Sequence, residues 1–77
     1  MDYIESTFEI QPMVSGAGIL IAELGEIGYD SFVENDDHIL AYIPEKDFSE
    51  EKLKALNILQ NKGFRINFHH QLIKNIS

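Results

Sequence analysis

The chain has 77 residues, no cysteine and no tryptophan, and a formal net charge of -7 from 13 acidic and 6 basic residues. That length allows one small two-layer domain with one modest core and excludes a second domain. Without cysteine there is no disulfide, thiolate metal site or cysteine nucleophile. A 44% share of hydrophobic residues reads as globular, and no apolar run reaches the roughly 20 residues that span a bilayer. Met1 is followed by Asp2 and Glu5 rather than a basic segment, so no signal peptide is read and a cytoplasmic location without membrane attachment is expected.

From the start of the chain, "YIESTFEI" alternates, with Ile4, Ser6, Phe8 and Ile10 on one side and Tyr3, Glu5, Thr7 and Glu9 on the other. This is the pattern of a strand covered on one face, ended at Pro12, which cannot donate to a sheet ladder. Ser15 is then read as a helix N-cap, with Ala17, Leu20, Ile21 and Leu24 at helical spacing. The helix should stop between Gly25 and Gly28, with Gly28 the better left-handed C-terminal residue.

"YDSFVE" reads as the second strand with Phe32 inward, "NDD" as a tight polar turn and "HILAYIP" as the third strand, closed by Pro44. "DFSEEKLKALNILQNKG" predicts one helix, capped by Asp47 or Ser49, with Phe48, Leu53, Leu56 and Leu59 as its apolar face. "FRINFHH" alternates again, Phe64, Ile66, Phe68 and His70 against Arg65, Asn67 and His69, and "QLIKNIS" is open between more strand and a departing segment. The expected fold is α+β in the order βαββαβ: a ferredoxin-like split βαβ sandwich, an antiparallel sheet with two helices on one face. The other face, where Tyr3, Thr7 and Asn67 fall, is free for a partner.

Candidate chemistry is sparse. Gly16-Ala17-Gly18 follows a strand, but Ile21 stands where a dinucleotide fingerprint needs glycine or alanine, and no G-K-[ST] follows. Those glycines instead give a permissive helix start or a close backbone approach. His69 and His70, adjacent on a strand, point to opposite faces and do not share a metal. His69 reads as solvated and His70 as peripheral core. Ser15 and Ser49 read as caps without a histidine nearby, and the acids Glu34, Asp36, Asp37 and Asp47 occupy turns and caps rather than a pocket. No catalytic, cofactor-binding or metal residue is therefore assigned. Lysines and Arg65 read as scattered, which argues against direct nucleic-acid binding, whereas an acidic surface would attract a basic protein.

In order along the chain, "MDYIESTFEI", "LIAELGEIGYDSFVEND", "LAYIPEKDF" and a following leucine-bearing helix resemble the N-terminal domain of the bacterial methyltransferases of ribosomal protein L-11. "AELGEIGYDSF" followed by "AYIP" is similar to the Bacteroidetes branch. The resemblance implies a domain that grips the ribosomal protein, while a separate Rossmann-like domain, acting in cis, binds S-adenosylmethionine and methylates substrate amines. Residues 1–77 would be that single recognition domain without its catalytic half, binding substrate but neither cofactor nor chemistry, with residues 71–77 starting the link onward. Tyr29, Asp30, Phe32, Glu34, Tyr42 and Glu45 are the substrate-contact residues to test; Phe32 has a core role as its alternative. The competing function is a ferredoxin-like regulatory domain that binds a small ligand, dimerising through a sheet edge.

Overall fold

The computed structural model describes residues 2–74. It is α+β: strands β1 (Tyr3–Gln11), β2 (Ser31–Glu34), β3 (Ile39–Pro44) and β4 (Arg65–Ile73) form one antiparallel sheet in the order β2-β3-β1-β4. Since β3 runs antiparallel to both β1 and β2, those two are parallel, and helix α1 (Met13–Glu26) carries the chain from one to the other. No helix among the described residues is long and apolar enough to cross a membrane.

The alternation in β1 does what its period dictates. Ser6, Phe8 and Ile10 are buried, and their direct neighbours Ala41 and Ile39 on β3 and His70, Phe68 and Ile66 on β4 share that face. Leu20 and Leu24 of α1 close over it, joined by Leu53, Leu56 and Ile58 from the later helical segments. Tyr3, Thr7 and Asn67 lie on the opposite face, as expected from the alternation.

Helix α1 begins earlier than Ser15. It starts at Met13 after Pro12, whose carbonyl accepts from the Gly16 N–H at 3.0 Å, and Ser15 is an exposed residue inside the helix rather than its cap. Proline is tolerated at this N-cap because the N–H that it lacks has no partner to serve within the helix. Gly16 is buried. A Cβ there would lie 2.5 Å from Ile10 Cδ1 and 3.0 Å from Phe64 Cε1, so the helix approaches the sheet through it. Gly18 has open space where its Cβ would be and carries no such constraint.

The C-terminal end is a Schellman motif. The Tyr29 N–H donates to the Leu24 carbonyl at 3.1 Å and the Gly28 N–H to that of Gly25 at 3.4 Å, with Gly28 at φ +111°. A side chain at that φ is strained, and its Cβ would also meet Ile43 Cδ1 at 3.2 Å. Gly28→Ala is therefore expected to cost about 1–3 kcal/mol in a urea titration. A neutral result would mean that the turn does not need its glycine.

The single helix expected over residues 47–63 is broken into a 3-10 turn, η1 (Glu45–Asp47), and two short helices, α2 (Glu50–Lys54) and α3 (Asn57–Gln60). Ser49 caps α2, accepting from the Lys52 N–H at 3.2 Å. The break has a packing cause. In one continuous helix Ile58 would sit about 140° around the axis from Leu53. With Leu56 extended at ψ 140° both are buried instead, at 0% and 2% exposure. Glu23 of α1 supports the break, its Oε1 accepting from the Ile58 N–H at 3.1 Å. Strand β4 runs on through Ile73, so residues 71–73 belong to the sheet, and residues 75–77 of the proposed link lie outside the described residues.

Candidate functional site: the β2–β3 edge and the open sheet face

The helix-free face of the sheet is a row of side chains fixed by strand register. Val33, Leu40, Thr7 and His69 lie across the four strands, and Ser31, Tyr42, Glu5 and Gln71 form the next row. Val33 is 46% exposed, so this face carries apolar as well as polar groups. Its firmest contact is Tyr42, whose hydroxyl donates to Glu5 Oε2 at 2.8 Å. The acceptor carboxylate holds that proton and raises the phenol above its ordinary pKa, with smaller contributions from desolvation and from the charge of Glu5.

The hairpin tip is a polar knot. The Asn35 N–H donates to the His38 carbonyl at 2.9 Å, and His38 Nδ1 lies 2.6 Å from Asp37 Oδ1. The hydrogen bond from His38, then its charge, lowers the Asp37 pKa. Glu34, Asn35, Asp36 and Asp37 are exposed there, which makes this end of the sheet strongly acidic.

The charges are segregated along the chain, with Lys46 the one base among the acids. Every acidic residue falls between Asp2 and Glu51, whereas Lys52, Lys54, Lys62, Arg65 and Lys74 follow with no acid among them. In the sheet, the short edge strand β2 is flanked by Asp30, Glu34, Asp36 and Asp37, while the opposite edge strand β4 contains Arg65 and no acid. Lys62 and Arg65 border an open depression with Gln11, Pro12, Gly63 and Phe64.

The six proposed contact residues divide. Asp30, Glu34 and Glu45 are exposed, and Tyr42 is half-buried on the open face. Asp30 is tied to Tyr42 by its N–H, which donates to the Tyr42 carbonyl at 3.0 Å, and accepts from Ser31 Oγ at 3.2 Å. Glu45 anchors β3 to the chain start through its N–H, which donates to the Asp2 carbonyl at 2.9 Å. Phe32 is half-buried against the core on the helix side, in keeping with its inward reading. Tyr29 is only 4% exposed, its ring edge-on to Phe8 at 6.4 Å, so its side chain is part of the core.

One polar constellation joins residues far apart in the chain. Ser6 Oγ lies 2.8 Å from Tyr29 Oη and 2.8 Å from His70 Nδ1. The signal was a serine among Ile4, Phe8 and Ile10 and a histidine after Phe64, Ile66 and Phe68, each on a strand's apolar face. Pairing the two strands brings them opposite each other. A Ser–His pair suggests acyl chemistry, but Ser6 is 0% exposed and offers no substrate a line of approach. Burial raises the Tyr29 pKa, and the bond from Ser6 partly offsets that. Among the described residues no group of three or more His, Cys, Asp or Glu is arranged to hold a metal ion.

Comparison with known proteins gives three informative relatives. Proteins called ribosomal protein L11 methyltransferase are 42% identical over 56 residues in Bacteroides fragilis, 35% over 63 in Chlorobaculum tepidum and 42% over 57 in Phocaeicola vulgatus. The matches cover 71%, 82% and 73% of this chain, but only 20%, 21% and 20% of those proteins. The chain thus spans about a fifth of the length of the curated relatives it matches. No family model and no solved structure matches it. By these matches the chain is a relative of the ribosomal protein L11 methyltransferases, aligned with about one fifth of their length.

Proposed function

We propose that this chain is the substrate-recognition domain of an S-adenosylmethionine-dependent methyltransferase that acts on ribosomal protein L11. The observation that carries the reading is the 35–42% identity, over most of this chain, with methyltransferases bearing that name. On this reading the fold is the ferredoxin-like split βαβ domain, and the parallel pair β1 and β2 with β3 between them supports it. Cofactor binding and methyl transfer belong to a second domain in cis, beyond a link that follows β4.

The acidic β2–β3 edge is the substrate face. Asp30, Glu34 and Glu45 supply its charge and Tyr42 an aromatic group held by Glu5, while Tyr29 and Phe32 support the surface from beneath. Long-range attraction of this edge for a basic protein would speed encounter and set orientation. Neither a nucleic acid nor a membrane is a partner in this reading.

Titration calorimetry of the 77-residue chain against purified L11 and against S-adenosylmethionine tests it. Heat is expected from L11, with affinity falling as salt rises because exposed charges are screened beyond roughly 10 Å at 0.1 M. No heat is expected from the cofactor. Binding of the cofactor without binding of the protein overturns the proposal.

A further inference from the structure

We infer that His70 is a proton-sensitive latch, which when neutral pins the η1–α2 segment to strand β4 and when protonated releases it. The inference is independent of what the domain binds.

Its ground is the way His70 is held. The ring sits on the helix side of an edge strand, 4.9 Å from the Phe48 ring and 5.6 Å from that of Phe68. Nδ1 is 2.8 Å from Ser6 Oγ, which continues to Tyr29. Nε2 is buried and has no hydrogen-bond partner among the described residues. With the proton on Nδ1, the imidazole donates to Ser6 and leaves Nε2 a bare lone pair, the cheaper of the two neutral arrangements. Protonation puts an N–H and a share of a positive charge at Nε2, where none of the described residues accepts them, and such a group costs far more than an unfilled acceptor.

The surrounding charges do not remove that cost. From α2, Glu50 favours the charged ring, but its carboxylate is also 3.8 Å from Lys54 Nζ and half open to water. From β4 itself, His69 opposes it. Ser6 of β1, Tyr29 of the turn after α1, and Phe48 between η1 and α2 contribute no charge in the range where histidine titrates. Desolvation is the largest influence and holds the His70 pKa below the ordinary histidine value. The sign follows. The unfolded or open state binds the proton more readily, so the closed state is fully favoured above the ordinary histidine pKa and loses ground as pH falls towards the folded-state value.

The element that gives way is the one His70 touches through Phe48. The segment is short and is fastened by few bonds, among them the Phe48 N–H to the Glu45 carbonyl and the Leu53 N–H to that of Ser49. Such segments open locally at less cost than a central strand.

The test is amide hydrogen exchange on the 77-residue chain between neutral and mildly acidic pH, corrected for intrinsic rates, with His70 and His69 imidazole protons followed by NMR. Protection at Phe48 and Leu53 should fall on acidification, by at most about tenfold per pH unit for one proton, and should stay below that of Phe8 and Ile10 at every pH. His70→Asn can still bond Ser6 but cannot titrate, and should remove the acid-induced loss, whereas His69→Gln should retain it. Titration of His70 at or above the ordinary value, persistence of the effect in His70→Asn, or protection at Phe48 and Leu53 equal to that in β1 would each overturn the latch. Where His70→Asn fails to fold, the imidazole titration together with exchange at Phe48 and Leu53 in the unmodified chain still tests the latch.

Discussion

Phe8→Ala is expected to leave the chain largely unfolded at room temperature. Phe8 is 0% exposed, lies at the centre of β1, and packs its ring against Tyr29 at 6.4 Å and Phe68 at 5.8 Å. Truncating a buried phenylalanine typically costs about 3–5 kcal/mol, from lost transfer energy and from the cavity left behind. A core in a chain this short rarely supplies more than about 3–5 kcal/mol, so the substitution consumes most or all of the stability. Neighbours cannot readily collapse into the space, because β1 is held in register on both sides by β3 and β4. Circular dichroism should show the loss of the cooperative thermal transition. Val14→Ala is the control: its site is 99% exposed, and the midpoint should move by no more than the few tenths of a kcal/mol usual for surface changes. A Phe8→Ala variant that melts cooperatively near the parent would mean that the core is centred elsewhere.

The distinction between what could and could not be read from the chain is one of range. The alternation of Ile4, Ser6, Phe8 and Ile10 and the place of Gly28 are local, and period and φ alone settle them. The broken second helix is not local. It depends on Glu23 reaching the Ile58 N–H across 35 positions and on the core's need for both Leu53 and Ile58. The same holds for Ser6 and His70, separated by 64 positions and joined only once β1 and β4 pair. For the candidate site, the acidic hairpin was legible because "NDD" marks both the turn and the charge. The segregation of acids from bases was equally legible but is lost when only the net charge is counted. Tyr29 directly follows a glycine turn, and no local periodicity marks its side chain as core. Here the Schellman geometry, with its N–H on Leu24, turns the side chain back into the core.

Ser6 and Tyr29 allow the core and contact roles of that tyrosine to be separated. Ser6→Ala removes a hydroxyl that serves two groups, leaving Tyr29 Oη and His70 Nδ1 without it. Each buried group so orphaned costs about 1–3 kcal/mol, which makes Ser6→Ala unusually costly for the loss of one oxygen. Tyr29→Phe takes away one partner while Ser6 keeps its bond with His70, and should cost only about 0.5–1.5 kcal/mol. In the double variant the orphaned phenol is gone, so the combined loss should be smaller than the sum of the two singles. Urea unfolding of the four chains measures that coupling, and strict additivity would mean that the Ser6–Tyr29 bond does not form. The same variants bear on recognition. On the proposed recognition role, Tyr29→Phe, which retains the ring and its packing against Phe8, should leave affinity for L11 unchanged. Reversing charge at exposed Asp30 and Glu34 should weaken binding most at low salt, where surface charges are least screened. If instead Tyr29→Phe weakens binding at unchanged stability, its hydroxyl faces the partner and the buried network assigned to Ser6 must be given up.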